Sequence, residues 1–219
     1  MKSIVHIKSK QSFELPQEFQ GDDVRYSEDL VAYFLHRFTA ENDVVFDPFA
    51  GFGTTLWMAE AMGRVPYGIE YDQARADYIR TRLKKYQAHI IHGDSRNLLS
   101  YQLPPFDLSM TSPPYMNKFD HPQNPLTAYT TKSRGYETYL QDLQQIYGQV
   151  RQLMKPEARV IIQAQNLKSE AGVTPLAWDI GQAVTEVLDF EGEVIVYQDN
   201  EDSSYGFDHS YCLIFSNPG

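Results

Sequence analysis

The chain has 219 residues, 42% of them hydrophobic and 13% aromatic, enough for one substantial core and short for two, so a single domain over residues 1–219 is expected. One cysteine, Cys212, excludes an internal disulfide and a multi-cysteine metal site, and the six histidines lack zinc-ligand spacing, so no metal is expected and Cys212 reads as a small buried residue. No apolar run nears the roughly 20 residues that span a bilayer, and the start lacks a secretory pattern, so a cytoplasmic protein with no membrane partner is expected. The formal net charge of −10 argues against strong non-specific binding to nucleic-acid phosphates and leaves room only for a local basic groove. Lys118, Lys132 and Arg134, or Lys2, Lys8 and Lys10, could line such a groove or simply be solvated.

After a polar N-terminal arm (1–25), Ser27 precedes Glu28 and Asp29 and then Leu30, Val31, Phe34, Leu35 and Phe38 at helical spacing, a capped helix. "DVVFD" (43–47) predicts a strand broken by "PFAGFG", and "TTLWMAEAM" a helix that ends at Gly63. "VPYGIE" predicts a second strand ending in Glu70, followed by a charged helix at about 72–86. "AHIIHGD" predicts a third strand ending at Asp94, and "FDLSMT" (106–111) a fourth. Residues 136–154 read as a helix, with Tyr136 and Tyr139 as core or helix surface; "ARVIIQAQ" as a fifth strand, 175–189 as a helix, and "EGEVIVYQ" and "SYCLIFS" as the last strands. Trp57 and Trp178 read as core. Alternating strands and helices predict a doubly wound, mainly parallel α/β sheet, with ligands at the carboxyl ends of its strands.

The residues at those ends carry chemistry. Gly51 and Gly53 fall in the first strand-to-helix turn, where small residues let backbone approach a ligand. Glu70, about 20 residues on, stands where a carboxylate binds a ribose diol, which makes this a nucleoside-binding unit. Leu56 occupies the position of the third glycine of a dinucleotide fingerprint, which disfavours nicotinamide. Asp94 either accepts from an adenine amine or caps the turn through "DSRN".

"SPPY" (112–115) ends the fourth strand because proline has no amide to continue a ladder. It leaves a hydroxyl, Ser112, a rigid carbonyl and an aromatic ring, Tyr115, side by side. The two oxygens can accept both hydrogens of an exocyclic amine while the ring stacks on its base, which directs the nitrogen lone pair outward. That is a site for amine methylation.

Here "DPFAGFGTT" (47–55), "TSPPY" (111–115) and "RYSEDLVAYFLHRF" (25–38) resemble the motifs of the S-adenosylmethionine-dependent amino-methyltransferases that make N4-methylcytosine or N6-methyladenine in DNA. The resemblance is continuous from about Arg25 to Tyr115 and weaker through "LMKPEARVIIQAQN" and "HSYCLIFS". It implies a class I, Rossmann-like methyltransferase fold, with seven strands and an antiparallel last one. It implies that Ser27, Asp47, Pro48, Phe49, Gly51, Gly53, Thr54 and Thr55 cradle the methionine end, Glu70 the ribose, and Asp94, Tyr71 and Ser95 the adenine. Ser112, Pro113, Pro114 and Tyr115 would hold the target base, and serine at the first position is similar to many cytosine-N4 enzymes.

Residues 116–135 read as a substrate loop or lid. That is little chain for target recognition, so a homodimer or a recognition partner enters the reading. An RNA base amine of the guanine-N2 kind is a second acceptor class, a protein glutamine amide a third, and a non-catalytic methyltransferase-fold subunit the non-enzymatic alternative. Asp208 and His209 either reach the site from the sheet edge or shape a turn.

Overall fold

Eight strands among the described residues form one sheet, in the order β1-β9-β10-β6-β5-β2-β3-β4. They are β1 (Ile4–His6), β2 (Val44–Asp47), β3 (Val65–Glu70), β4 (Ile90–His92), β5 (Phe106–Thr111), β6 (Met154–Ala164), β9 (Asp189–Tyr197) and β10 (His209–Ser216). A separate hairpin joins β7 (Leu167–Ser169) to β8 (Gly172–Thr174). The computed structural model describes residues 2–7, 11–22, 25–119, 135–197 and 205–219. Within the eight-stranded sheet every pair is parallel except those of β10, which runs antiparallel to both β6 and β9.

The doubly wound, mainly parallel sheet is the one expected, with one strand more than the expected seven. The addition is β1, whose Ile4 pairs with Ile195 and whose Val5, 8% exposed, joins Val194 and Val196 in the core. Three alternating residues are too short a run to stand out from a polar arm. The β7–β8 hairpin was hidden in the same way, inside "LKSEAGVT".

Helices cover both faces. Ser27 caps α1 (Glu28–Phe38) by accepting from the Asp29 amide at 3.2 Å, and the buried stripe Leu30, Val31, Phe34 and Leu35 packs on Val45, Leu108, Met110 and Ile161. Opposite, α4 (Tyr136–Gln152) and α5 (Leu176–Thr185) bury Tyr139, Leu143, Ile146, Ile180 and Val184 against Phe46, Phe106, Val160 and Ile162. Each such large side chain taken from water contributes about 1.5–3 kcal/mol.

Between β2 and β4, α2 (Thr54–Ala61) and α3 (Gln73–Arg82) form a smaller cluster through Leu56, Ala76 and Ile79. Gly68 admits the fully buried Leu56, whose Cδ1 would lie 2.5 Å from a Cβ there. α3 is shorter than its charged pattern suggested. The Glu60 carboxylate accepts from the amides of Lys84, Lys85 and Tyr86 and so holds the chain in a non-helical turn.

Two tryptophans differ in outcome. Trp57 is half-buried, edge-on to Phe13 at 5.9 Å, with Arg82 above it. Trp178 is 49% exposed and lies on Tyr211 at 5.2 Å, not in the core as expected, because the buried face of α5 is made by Leu176, Ala177, Ile180 and Val184. Cys212 is fully buried, as expected.

Candidate active site

In the strand order, β3 and β4 lie to one side of β2, and β5 and β6 to the other. Strand order therefore reverses between β2 and β5, and their carboxyl ends open the crevice where such sheets bind ligands. The two motifs singled out in the sequence follow these two strands.

The turn after β2 is fixed by hydrogen bonds. Asp47 Oδ1 accepts from the Phe49 amide at 3.0 Å, Ile69 O from Ala50 at 2.9 Å, and Glu70 Oε2 from Gly51 at 2.7 Å. Gly51 and Gly53 sit at φ of 57° and 79°, which favours glycine, and a Cβ on Gly53 would come 2.9 Å from Ile79 Cγ1. Gly53 is also the N-cap of α2, so the amide-bearing end of that helix, with buried Thr54 and Thr55, faces the turn. Ser95, buried, donates its hydroxyl to the Pro48 carbonyl and ties the turn to the segment after β4. From the N-terminal arm, Phe19 packs on Phe52 of the turn at 5.3 Å and on Tyr78 at 5.7 Å.

Three acids mark the ends of β2, β3 and β4. Asp47 is 1% exposed, and burial pushes its carboxyl from 3.8 up to about 7, against the hydroxyls of Thr111 and Thr55 and the Phe49 amide, which lower it. The Tyr26 hydroxyl is hydrogen-bonded to Thr55 Oγ1, which donates to the Met110 carbonyl at 3.3 Å, so β2, α2 and β5 meet here. Glu70 is 8% exposed and likewise raised by burial, offset by amide bonds from Asp72, at 2.9 Å to Oε1, and from Gly51. Asp94 caps the "DSRN" turn through the Arg96 amide at 2.9 Å and pairs with the Arg96 guanidinium at 2.5 Å. Its capping role is therefore real, and Arg96 Nε also lies 3.1 and 3.0 Å from the two carboxylate oxygens, so an adenine amine would share this carboxylate with Arg96. Tyr71, half-buried, follows Glu70 directly, and its carbonyl lies 3.0 Å from His92 Nε2.

After Thr111 the proline pair carries the chain out of the sheet. Tyr139 donates to the Pro114 carbonyl at 2.9 Å, Ser112 Oγ to Tyr115 Oη at 3.4 Å, and Tyr115 Oη to Gln163 Oε1 at 3.0 Å. The Tyr115 ring packs on Tyr205 at 5.3 Å. Thr174 of β8 donates to Asn117 Oδ1 at 2.7 Å and accepts from the Lys118 amide at 3.1 Å, which binds the chain after Tyr115 to the hairpin. Lys118 is exposed, with its ammonium 4.9 Å from the Phe119 ring centroid.

Lys8, Lys10, Lys132, Arg134 and most of the expected substrate loop 116–135 lie outside the described residues. His209 bonds Asp208 at 2.9 Å and Tyr211 at 3.0 Å at the start of β10. Tyr139 is core, as expected, but its hydroxyl also holds the proline motif. Tyr139, Gln163, Thr174 and Tyr205 were missed as contributors. Gln163 alone left a signal, an amide inside the apolar run "VIIQA".

S-adenosylmethionine has an ammonium, a ribose diol and an adenine amine, a sulfonium charge and no phosphate. Carboxylates at three adjacent strand ends match those donors, so the residues present fit this group.

The sheet is that of the class I methyltransferase fold. TrmN from Thermus thermophilus superposes with a TM-score of 0.62 at 16% identity, over 87% of this chain and 48% of that one. A TehB-like SAM-dependent methyltransferase from Corynebacterium glutamicum gives 0.55 at 11% over 92% and 93%, and an rRNA methylase from Streptococcus thermophilus 0.55 at 12% over 89% and 98%. The chain thus spans about half the length of TrmN, and at these identities the likeness is one of fold. No curated protein matches the sequence. Residues 8–81, about a third of the chain, match the N6/N4 family model described as DNA methylase. Over that segment the resemblance drawn from the motifs is borne out.

Proposed function

We propose that the protein transfers the methyl group of S-adenosylmethionine to an exocyclic amine of a DNA base, cytosine N4 in preference to adenine N6. The observation that carries the reading is the meeting of two motifs across the β2/β5 switch point, where Thr55 of the glycine turn donates to the Met110 carbonyl at 3.3 Å, just before the strand leads into Ser112-Pro113-Pro114-Tyr115. The family match supports the cofactor half of this pair, and the proline motif lies beyond the matched segment.

When bound, S-adenosylmethionine supplies an electrophilic methyl group on sulfur. In this reading Asp47 and the turn from Pro48 to Thr55, with Ser27 beneath, hold the methionine end. Glu70 accepts from the ribose hydroxyls, and Asp94, Tyr71 and Ser95 border the adenine. Because the Pro114 carbonyl already accepts from Tyr139, the carbonyl offered to the target amine is that of Pro113, beside the Ser112 hydroxyl. Two acceptors draw the amine's hydrogens into one plane, and the Tyr115 ring holds the base in it, so the lone pair points out for in-line attack. No protein nucleophile is needed. Cys212, its thiol pushed well up by burial, is not in a condition to be one. A duplex substrate must first release its base, at a cost of a few kcal/mol. Recognition by a second copy or by a partner chain belongs to the same proposal.

The test is transfer of labelled methyl from S-adenosylmethionine to unmethylated duplex DNA and, in parallel, to bulk RNA, with mass spectrometry of the digested nucleosides. N4-methylcytosine from DNA is expected. Label confined to RNA moves the acceptor to an RNA base, and label in neither pool replaces the enzyme with a non-catalytic subunit.

A further inference from the structure

Gln163 is 8% exposed and lies in β6 among Val160, Ile161, Ile162 and Ala164, all fully buried. A primary amide in such a run is costly unless it is hydrogen-bonded. Its backbone is fixed by pairing with Cys212 on β10, and its side-chain oxygen accepts from Tyr115 at 3.0 Å. The same phenol oxygen receives the Ser112 hydroxyl at 3.4 Å, so Ser112, Tyr115 and Gln163 form a chain that starts in the proline motif and ends on the sheet. Tyr205 packs on the Tyr115 ring from the side, at 5.3 Å and 58°.

We infer that Gln163 is a positioning residue for the methyl-transfer step: by holding the Tyr115 hydroxyl it sets the plane of the ring against which the target base lies, and with it the direction of the Ser112 hydroxyl. The inference rests on the stacking role proposed for Tyr115. The phenol oxygen lies on the axis of the ring's second side-chain torsion, so an acceptor there fixes the first; the second is limited because a phenolic O–H prefers the ring plane, which turns that plane toward the Gln163 oxygen, and by Tyr205 packed against the ring. Small errors in base orientation misdirect the amine, and in-line transfer is sensitive to them. Burial, chiefly, raises the Tyr115 phenol above its ordinary range, so it keeps the proton that it donates to Gln163 throughout neutral pH. Gln163 acts only through the tyrosine and touches neither base nor methyl donor.

The test compares wild type, Gln163→Leu, Tyr115→Phe and the double variant, using the nucleic-acid pool that the wild type methylates, with cofactor affinity measured by calorimetry. Gln163→Leu should lower kcat about tenfold, the worth of one hydrogen bond, with cofactor affinity unchanged. Tyr115→Phe should lose a similar factor, and the double variant should be no slower than the slower single one, because both changes break the same bond. Gln163→Glu, which keeps an acceptor oxygen in either protonation state, should recover most of the loss. Wild-type kcat in Gln163→Leu, or losses that multiply in the double variant, would overturn the inference while the proposed function stands. A wild type that methylates no nucleic acid removes the function and the inference together, so the two failures are told apart in the first lane of the assay.

Discussion

At the scale of single residues, Asp47 is a carboxyl displaced strongly by burial. Its carboxyl ionises near 3.8 when unfolded and near 7 when buried among Thr111, Thr55, the Phe49 amide and Glu70. The acid is neutral in both states below the unfolded value. Its favourable contribution is complete there and is lost as pH rises through 7, where folding retains a buried anion. Asp47→Asn should therefore stabilise the free protein at about pH 8, by on the order of 2–4 kcal/mol, and leave it unchanged below about pH 4; denaturant melts at the two pH values check this. A cationic ligand reverses the preference, because it favours the ionised acid. Wild-type affinity for S-adenosylmethionine should rise between about pH 6 and 8 and then level off, and the asparagine variant should bind weakly with no such slope. Gly53 and Gly51 make a contrasting pair: both have positive φ, but only at Gly53 would a Cβ strike Ile79, at 2.9 Å against a nearest approach of 3.9 Å at Gly51. Gly51→Ala should cost about 1–2 kcal/mol from backbone strain, and Gly53→Ala distinctly more, read as the difference in thermal midpoint.

Among the elements, the β7–β8 hairpin shows how a minor piece of chain controls a major one. Thr174 is buried and holds both Asn117 and the Lys118 amide, so the segment leaving Tyr115 is anchored on β8. Thr174→Val keeps the shape and removes the hydroxyl. It should raise KM for nucleic acid several-fold while cofactor affinity stays put, and equal weakening of both would show a general collapse of the edge instead. The elements that were legible in sequence share a cause. Val65–Glu70 and Phe106–Thr111 were read to the residue because β-branched and apolar runs end there in a turn or a proline pair. β1, β7 and β8 are three residues each, too short for a periodic signal, and β1 depends besides on a partner far along the chain that no local pattern records. The site divides likewise. Asp47, Glu70 and Ser112 to Tyr115 announce themselves by standing at strand ends beside glycine or proline, whereas Tyr139 and Thr174 look like ordinary core residues until their hydroxyls are seen to bond the proline motif and the chain that follows it.

For the whole molecule, a net charge of −10 must coexist with the polyanionic substrate proposed above. Binding should depend on a few local cations such as exposed Lys118, so the slope of log K against log salt should be shallow, about −3 or flatter, in a filter-binding or anisotropy titration. A slope near −10 would reveal a basic surface elsewhere. The sheet order has a different reach. Ile4 pairs with Ile195, so the first strand of the chain rests on the next-to-last. On a ribosome β1 emerges well before β9 and waits, unpaired, for that strand, while β2 to β6 can already assemble around their helices. Val5 and the strand it belongs to are thus a late step of folding, because the strand they rest on must be made first.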